Sequence, residues 1–422
     1  MYKIYFRQAV ELLKQNPFIG LISVLGTALA IMMVTTMIVT DGIKNASVVP
    51  EPGRDRTLYL VSYAVCDTTG GRNTHSSWGG IPFAELKNNI LPGLKTPELI
   101  AATGETDNIV NREGDGDYVN MQIKTTNADY WKLCSHTFVE GGPYGDDDFE
   151  SGLRVAVLSE TVAKTLFKGE DPIGKNIGIN FNPYRVIGVV RDVSPLFRVA
   201  GGGIWAPYTS MPGYESELYE VMLLARDVAD FRKIRREMEE VKRKLDPERA
   251  PKFVDFGGPR SHVSLSRVSL RGTTVQVEAA TRRAQRKTVF LFAVMLLVPA
   301  LNLSGFSLSR IRKRMAEIGI RKAFGAKRHV ILAQVLYENL ITTLIGGIAG
   351  LGLSYGAIFV MRKWLFDMPS DGSLPLNALV SGYTFAAVFA VCLVLNLISA
   401  GVPAYRASRM NIVDSLNQNH RK

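Results

Sequence analysis

The chain has 422 residues, of which 46% are hydrophobic and 21% charged, and it carries a formal net charge of +11. That length allows two or three ordinary domains. The charge by itself would admit a nucleic-acid binder, but the basic residues cluster beside apolar stretches and no RNA- or DNA-binding signature is present, so nucleic acid is not an expected partner.

In chain order, residues 1–16 place Lys3, Arg7, Glu11 and Lys14 at helical spacing among apolar neighbours. This predicts an amphipathic helix lying in a membrane interface. The uncharged run 17–40 follows, about 24 residues or roughly 36 Å of helix, against a hydrocarbon core of ~30 Å. A cleaved signal peptide would have a shorter apolar region and a small-x-small site at its end. Here the site Ala28-Leu29-Ala30 sits in mid-run, so an uncleaved first span is expected.

Residues 43–270 are polar and globular in texture, and predict an α+β domain. Segments 57–65, 118–125, 153–158, 184–190 and 218–225 are rich in β-branched and aromatic residues. Segments 82–90, 128–133, 160–167 and 228–245 have helical patterns; in the last, Phe231, Ile234, Met238, Val241 and Leu245 share one face and Asp227 is the expected N-cap. Cys66 and Cys134 could pair in an oxidising compartment. With five scattered histidines and no C-x-x-C, the chain shows no zinc pattern. The stretch Gly169 to Asn176 nearly spells a phosphate-binding loop, but Asn176 replaces the Mg²⁺-binding hydroxyl and a helix precedes where a strand is required. It reads as a turn. Asp146, Asp147 and Asp148 read as a solvated acidic turn, and Gly201, Gly202 and Gly203 as a flexible surface loop.

A charged, helix-permissive stalk at 271–287 leads to a second apolar run, 288–309. A cytoplasmic loop at 310–338 and a third run at 339–361 follow, then a short outer loop at 362–377, a fourth run at 378–401 and a tail at 402–422. A charge at mid-bilayer costs roughly 2.5–3.5 kcal/mol, so four charge-free windows predict a membrane α-helical protein of four transmembrane helices. The α+β extracytoplasmic domain is inserted between spans 1 and 2. The basic residues near the spans divide fifteen on the side of the termini and the 310–338 loop against seven on the other. By the positive-inside rule the termini are cytoplasmic. Arg282, Arg283, Arg286 and Lys287 go against this rule, lying just before span 2 on the outer side.

Within the cytoplasmic loop, Ile311, Met315 and Ile318 share a helical face, and Gly325 suits the left-handed residue that ends a helix. Composition alone would make this basic helix a lipid-headgroup binder. In the third run, Gly346-x-x-x-Gly350 and Gly352-x-x-x-Gly356 permit close helix approach, within the subunit or at a dimer seam.

The segment Glu317-Ile-Gly-Ile-Arg-Lys-Ala-Phe-Gly-Ala326, with Gln334, Glu338 and the run Gly346 to Gly352, resembles the permease signature of the MacB/FtsX superfamily of ABC transporters. Val155 to Glu160, Leu166-Phe167, Asp171 to Lys175 and Tyr184 to Val189 are similar to the MacB-type periplasmic domain. The resemblance implies a chain with no nucleotide site and no cofactor of its own. It would be a bacterial inner-membrane permease acting as a homo- or heterodimer, with ATP and Mg²⁺ bound by a separate ABC ATPase in trans. It also implies a coupling helix that docks on that ATPase, carried by Glu317, Ile318, Gly319, Ile320, Arg321, Lys322, Phe324 and Gly325. The function it implies is mechanotransmission: hydrolysis drives efflux or export of a drug, peptide or lipid-type substrate, with a periplasmic adaptor and outer-membrane channel as possible further partners. An FtsX-like regulator of a cell-wall hydrolase, a signalling sensor and a lipoprotein-releasing permease are the alternatives. No catalytic constellation is legible, and no enzymatic activity is expected of this chain.

Overall fold

This computed structural model describes residues 17–67, 74–114, 116, 118–247, 251–269, 273–313, 320, 323–325 and 328–366, with 386, 389, 390, 393, 394, 401 and 405. The expected interfacial helix at 1–16, most of the fourth run and the tail lie outside the described residues. The chain divides into two units: Met1–Ile43 with Lys287–Leu365 and Leu374–Lys422, and Lys44–Arg286 with Phe366–Ser373.

The first unit is helical. Helix α1 covers Pro17–Asn45. Its buried residues, Thr27, Ala28, Ile31, Val34, Thr35 and Val39, recur at three- and four-residue intervals. Leu21, Leu25, Leu29 and Met33, spaced by four, are exposed on another face. A row of exposed large apolar side chains is the lipid-facing side of a span rather than a face that water tolerates. The windows Val24–Asn45 and Thr343–Met361 are long and apolar enough to cross a bilayer. The third expected span lies inside the longer helix Arg328–Phe366, and the second inside the helix Thr274–Lys313, which also contains most of the expected stalk.

The second unit is built on a mixed sheet. Its strands in chain order are β1 Thr57–Leu60, β2 Tyr63–Asp67, β3 Thr74–Gly79, β4 Ile81–Pro82, β5 Leu99–Arg112, β6 Val119–Thr126, β7 Phe138–Gly141, β8 Val155–Ser159, β9 Asn176–Ile179, β10 Asn182–Val190, β11 Ile204–Pro207, β12 Leu218–Leu224, β13 Lys252–Asp255 and β14 Arg260–Ser261. The main sheet runs β14-β1-β12-β5-β6-β11-β8-β10-β7, with β4 beside β12 and β9 bridging β10 and β5; β13-β2-β3 form a smaller sheet. Pairing is antiparallel except for β10 on β8 and β11 on β6. Its longest ladder joins β5 to β6, from Thr103 opposite Thr126 to Val110 opposite Val119.

Two apolar clusters flank this sheet. Helix α2, Glu160–Phe167, starts at Ser159, whose hydroxyl accepts the Val162 amide, and packs Ala163, Leu166 and Phe167 with Val110, Ile123, Tyr184 and Val186. Helix α3, Phe231–Leu245, follows a 3₁₀ turn capped by Asp227. Phe231, Ile234, Met238, Val241 and Leu245 are all buried against Leu58, Leu60, Val221 and Leu223. Burial of each such side chain contributes about 1.5–3 kcal/mol, so this one face anchors the helix.

Four sequence expectations change. The expected strand 57–65 is two strands, β1 and β2, in different sheets, with a break at Val61 and Ser62. Gly201–Gly203 is no free loop: a Cβ at Gly202 would lie 2.9 Å from the Trp205 ring, and the Gly203 carbonyl accepts the Ser159 amide at 2.8 Å. Cys66 and Cys134 are both buried and are not joined in a disulfide. The acidic run Asp146–Asp148 opens a short helix, Asp146–Glu150, and the Gly145 amide donates to Asp148 Oδ2 at 3.0 Å. The near phosphate loop is a turn after α2, as the order of elements required, and Lys175 is committed to Glu170 at 2.8 Å.

Candidate coupling site and helix joints

The expected coupling segment is described only in part: Glu317, Ile318, Gly319, Arg321 and Lys322 lie outside the described residues. The remaining positions form a short helical end. The Phe324 amide donates to the Ile320 carbonyl at 3.0 Å, and Gly325 follows at φ 90°, the left-handed conformation glycine adopts without a Cβ clash. Ile320 is 50% exposed and Phe324 is 89% exposed. The segment therefore presents an aromatic ring that its own unit does not cover.

The glycines of the third span separate into two kinds. A Cβ at Gly346 would lie 2.7 Å from Thr27 Cβ, and one at Gly350 would lie 2.6 Å from the Ala28 carbonyl oxygen and 3.0 Å from Ile31 Cβ. Gly347 approaches Phe389 in the same way, at 2.6 Å. The first pair is thus the contact surface between two helices of one unit, where only a missing side chain lets the backbones meet. Gly352 and Gly356 have nothing within 4 Å among the described residues.

Sequence reading missed the residues that hold the ends of the helices within the second unit, the expected outer domain. The last two residues of α1, Lys44 and Asn45, belong to that unit, and the Lys44 carbonyl accepts Arg54 Nη1 at 3.1 Å and His262 Nε2 at 3.0 Å. Arg54 is 1% exposed. Its Nε donates to Glu51 Oε2 at 2.6 Å, its Nη2 to the Leu196 carbonyl at 2.8 Å, and its guanidinium lies 4.4 Å over the Phe197 ring. Glu51 in turn accepts the Ala200 amide at 2.9 Å. Burial, and next the Arg54 charge, hold His262 below its ordinary range, so it serves as a neutral donor. A buried cation at a helix C-terminus is favourably placed against the helix dipole.

The start of helix Thr274–Lys313 is held by the opposite charge. Asp255, almost wholly buried, accepts the Thr274 amide at 3.0 Å, the Thr274 hydroxyl at 2.8 Å and the Gly257 amide at 2.8 Å through one oxygen, Oδ1. It caps the helix from a neighbouring strand, β13, in addition to the preceding residue, Thr273, whose hydroxyl accepts the Gln276 amide at 3.4 Å. The Glu51–Arg54 pair three residues apart just past an apolar run was the available signal for the first joint; nothing local marks Asp255, 19 residues before the helix it caps.

The loop that Arg54 grips is fixed from its other side by an aromatic cluster. The Tyr130 hydroxyl accepts Trp205 Nε1 at 2.9 Å and donates to the Val199 carbonyl at 3.1 Å, while Lys124 Nζ donates to the carbonyls of Arg198 and Val199 at 3.0 Å. Burial pushes the Tyr130 and Cys134 groups well above their ordinary values and lowers His136 to about 4. These groups are neutral packing elements. Among the described residues, no group of three His, Cys, Asp or Glu side chains is placed to hold a metal ion.

Comparison with known proteins decides the family. A family model of the MacB-like periplasmic core domain matches residues 21–241, and one of the FtsX-like permease C-terminal region matches residues 289–412. The chain belongs to the MacB/FtsX family of ABC transporter permeases. Relatives of this permease include an uncharacterized ABC transporter permease, YknZ, of Bacillus subtilis, 25% identical over 78% of each chain. The macrolide export ATP-binding/permease protein MacB of an Azoarcus species is 26% identical over 97% of this chain, which spans 58% of that relative's length. Among solved structures, the periplasmic region of MacB from Actinobacillus actinomycetemcomitans aligns with 50% of this chain and 92% of its own, at 16% identity and a TM-score of 0.36.

Proposed function

We propose that this permease couples ATP hydrolysis by a separate ABC ATPase subunit to extracytoplasmic work, the efflux or export of a drug, peptide or lipid-type substrate. The observation that carries the reading is that both helices leaving the outer unit are gripped at their ends, one through Lys44 by Arg54 and His262, the other through Thr274 by Asp255. Such joints pass a displacement of a helix to the sheet instead of dissipating it in a slack linker. Each contact with the ATPase need bias the two states by only a few kcal/mol for the coupling to work.

The driving motion enters, in this reading, at the 317–325 segment, with four spans, cytoplasmic termini and two copies of the permease in the assembly. Glu317 and Arg321 make charge-assisted contacts with the ATPase, and Ile318, Ile320 and Phe324 fill apolar pockets on it. Relatives named as combined ATP-binding and permease proteins carry both functions in one chain, whereas YknZ, named a permease, is matched over most of its length. The second pattern supports an ATPase supplied in trans. Charge reversal at Glu317 or Arg321 tests the proposal by co-purification and by permease-stimulated ATP hydrolysis. Both fall if the segment is the coupling helix, and unchanged values for both overturn it.

A further inference from the structure

The outer unit contains a charged cavity of about 440 Å³, within the size range of small-molecule sites. It lies between α3, the 257–261 turn, the short helix His262–Arg267 and the first turns of helix Thr274–Lys313. Its walls carry three guanidiniums, Arg235, Arg260 and Arg282, and two carboxylates, Glu239 and Glu278. Arg235 and Glu239 are one turn apart on α3; Glu278 and Arg282 are one turn apart on the long helix, as an exposed pair at 3.4 Å. Arg260, only 4% exposed, donates Nη2 to the Ser264 carbonyl at 3.0 Å and also to the Val268 carbonyl. Ser264 and Thr281 share a hydroxyl hydrogen bond of 2.9 Å, tying two of the cavity's walls together.

We propose that this cavity binds a phosphate–ammonium zwitterion of the phosphoethanolamine class. Guanidinium groups match the paired oxygens of a phosphate. A simple anion would meet two carboxylates, a simple cation three guanidiniums, and an apolar molecule would strip water from all five charges. A ligand carrying both signs satisfies both sets. Burial lowers the Arg260 pKa, so an anion beside it restores stabilisation that water does not provide.

Position favours a phosphate over other anions. Gln285 on the cavity rim precedes Thr288, the first residue of the apolar run, by three residues, about 4.5 Å of helix rise. At the same level stand Arg282, Arg283, Arg286 and Lys287, the basic cluster that runs against the positive-inside rule. Of these four, Arg282 lines the cavity, and a headgroup-binding role accounts for its place there. The inference is independent of which ATPase drives the permease.

The test uses the full chain, purified in detergent and delipidated, titrated with short-chain phosphatidylethanolamine. The wild type binds, and the double variant Arg235→Gln with Arg282→Gln binds at least tenfold more weakly, while Arg283→Gln with Arg286→Gln binds as the wild type does. The variant pair Glu239→Gln with Glu278→Gln, which reads the ammonium half, weakens phosphatidylethanolamine binding but spares phosphatidic acid. Competition by O-phosphoethanolamine assigns the site to a soluble ligand bearing this group, and failure to compete assigns it to a bilayer lipid. Equal binding by the Arg235/Arg282 variant, or equal binding of the diacylglycerol with the same chains, overturns the proposal.

Discussion

Replacing Gly350 by alanine puts a methyl group 2.6 Å from the Ala28 carbonyl oxygen and 3.0 Å from Ile31 Cβ, where ordinary contact begins at 3.4 Å. The obstructing atoms are helix backbone and a β-branched Cβ, neither of which can rotate away, so the two helices must part by about 0.8 Å. Overpacking of this kind costs typically about 1–3 kcal/mol. Alanine recovers up to about 1 kcal/mol over glycine through helix propensity, which leaves a net loss of up to roughly 2 kcal/mol. The same substitution at Gly352, which has nothing within 4 Å among the described residues, keeps only the gain. Thermal unfolding of the full permease in one detergent should therefore lower the midpoint for Gly350→Ala and leave it level or higher for Gly352→Ala. Shifts of equal size and sign would refute the packing assigned to the third span.

Removing one half of the buried pair, as in Arg54→Met, leaves Glu51 uncompensated and should cost about 3–5 kcal/mol, while adding Glu51→Gln recovers part of it, read by denaturant unfolding. Asp255→Ala frees the Thr274 and Gly257 amides and should cost about 1–2 kcal/mol in the same assay. Acid should destabilise the outer unit through His136. Its folded pKa of about 4 lies below the unfolded value near 6.5, so the unfolded chain binds the extra proton between these limits. Stability is thus full above about pH 6.5 and falls by up to about 3 kcal/mol toward pH 4; His136→Phe should flatten that part of the pH profile. Phe324→Ala should leave unfolding unchanged, since the ring is 89% exposed, yet weaken binding to the ATPase about tenfold or more, roughly the 1.5–3 kcal/mol of a buried aromatic.

The helices were legible where one face met one core. The period of Phe231, Ile234, Met238, Val241 and Leu245 located α3, and Asp227 the 3₁₀ turn that leads into it, because both signals are local. The strand β5 was not, although it is the longest: its sequence Leu99–Arg112 mixes glycine, acids and asparagine, and its pairing with β6, β9 and β12 is set by residues far along the chain. The glycine pattern of the third span announced a close helix contact but could not tell Gly346 and Gly350, which meet Thr27 and Ala28, from Gly352 and Gly356, which meet nothing among the described residues. The joint at Thr274 was invisible for the same reason, and the one at Lys44 showed only as the Glu51–Arg54 pair. Arg54 and Asp255 look like ordinary surface charges until the fold buries them beside a helix end.

The account depends on the 317–325 segment facing the cytoplasm and meeting an ATPase there. Phe324→Cys, probed with a membrane-impermeant maleimide in inverted and right-side-out vesicles, measures this directly. The account predicts labelling in inverted vesicles alone, with protection when the ATPase subunit is bound. Labelling in right-side-out vesicles would contradict it.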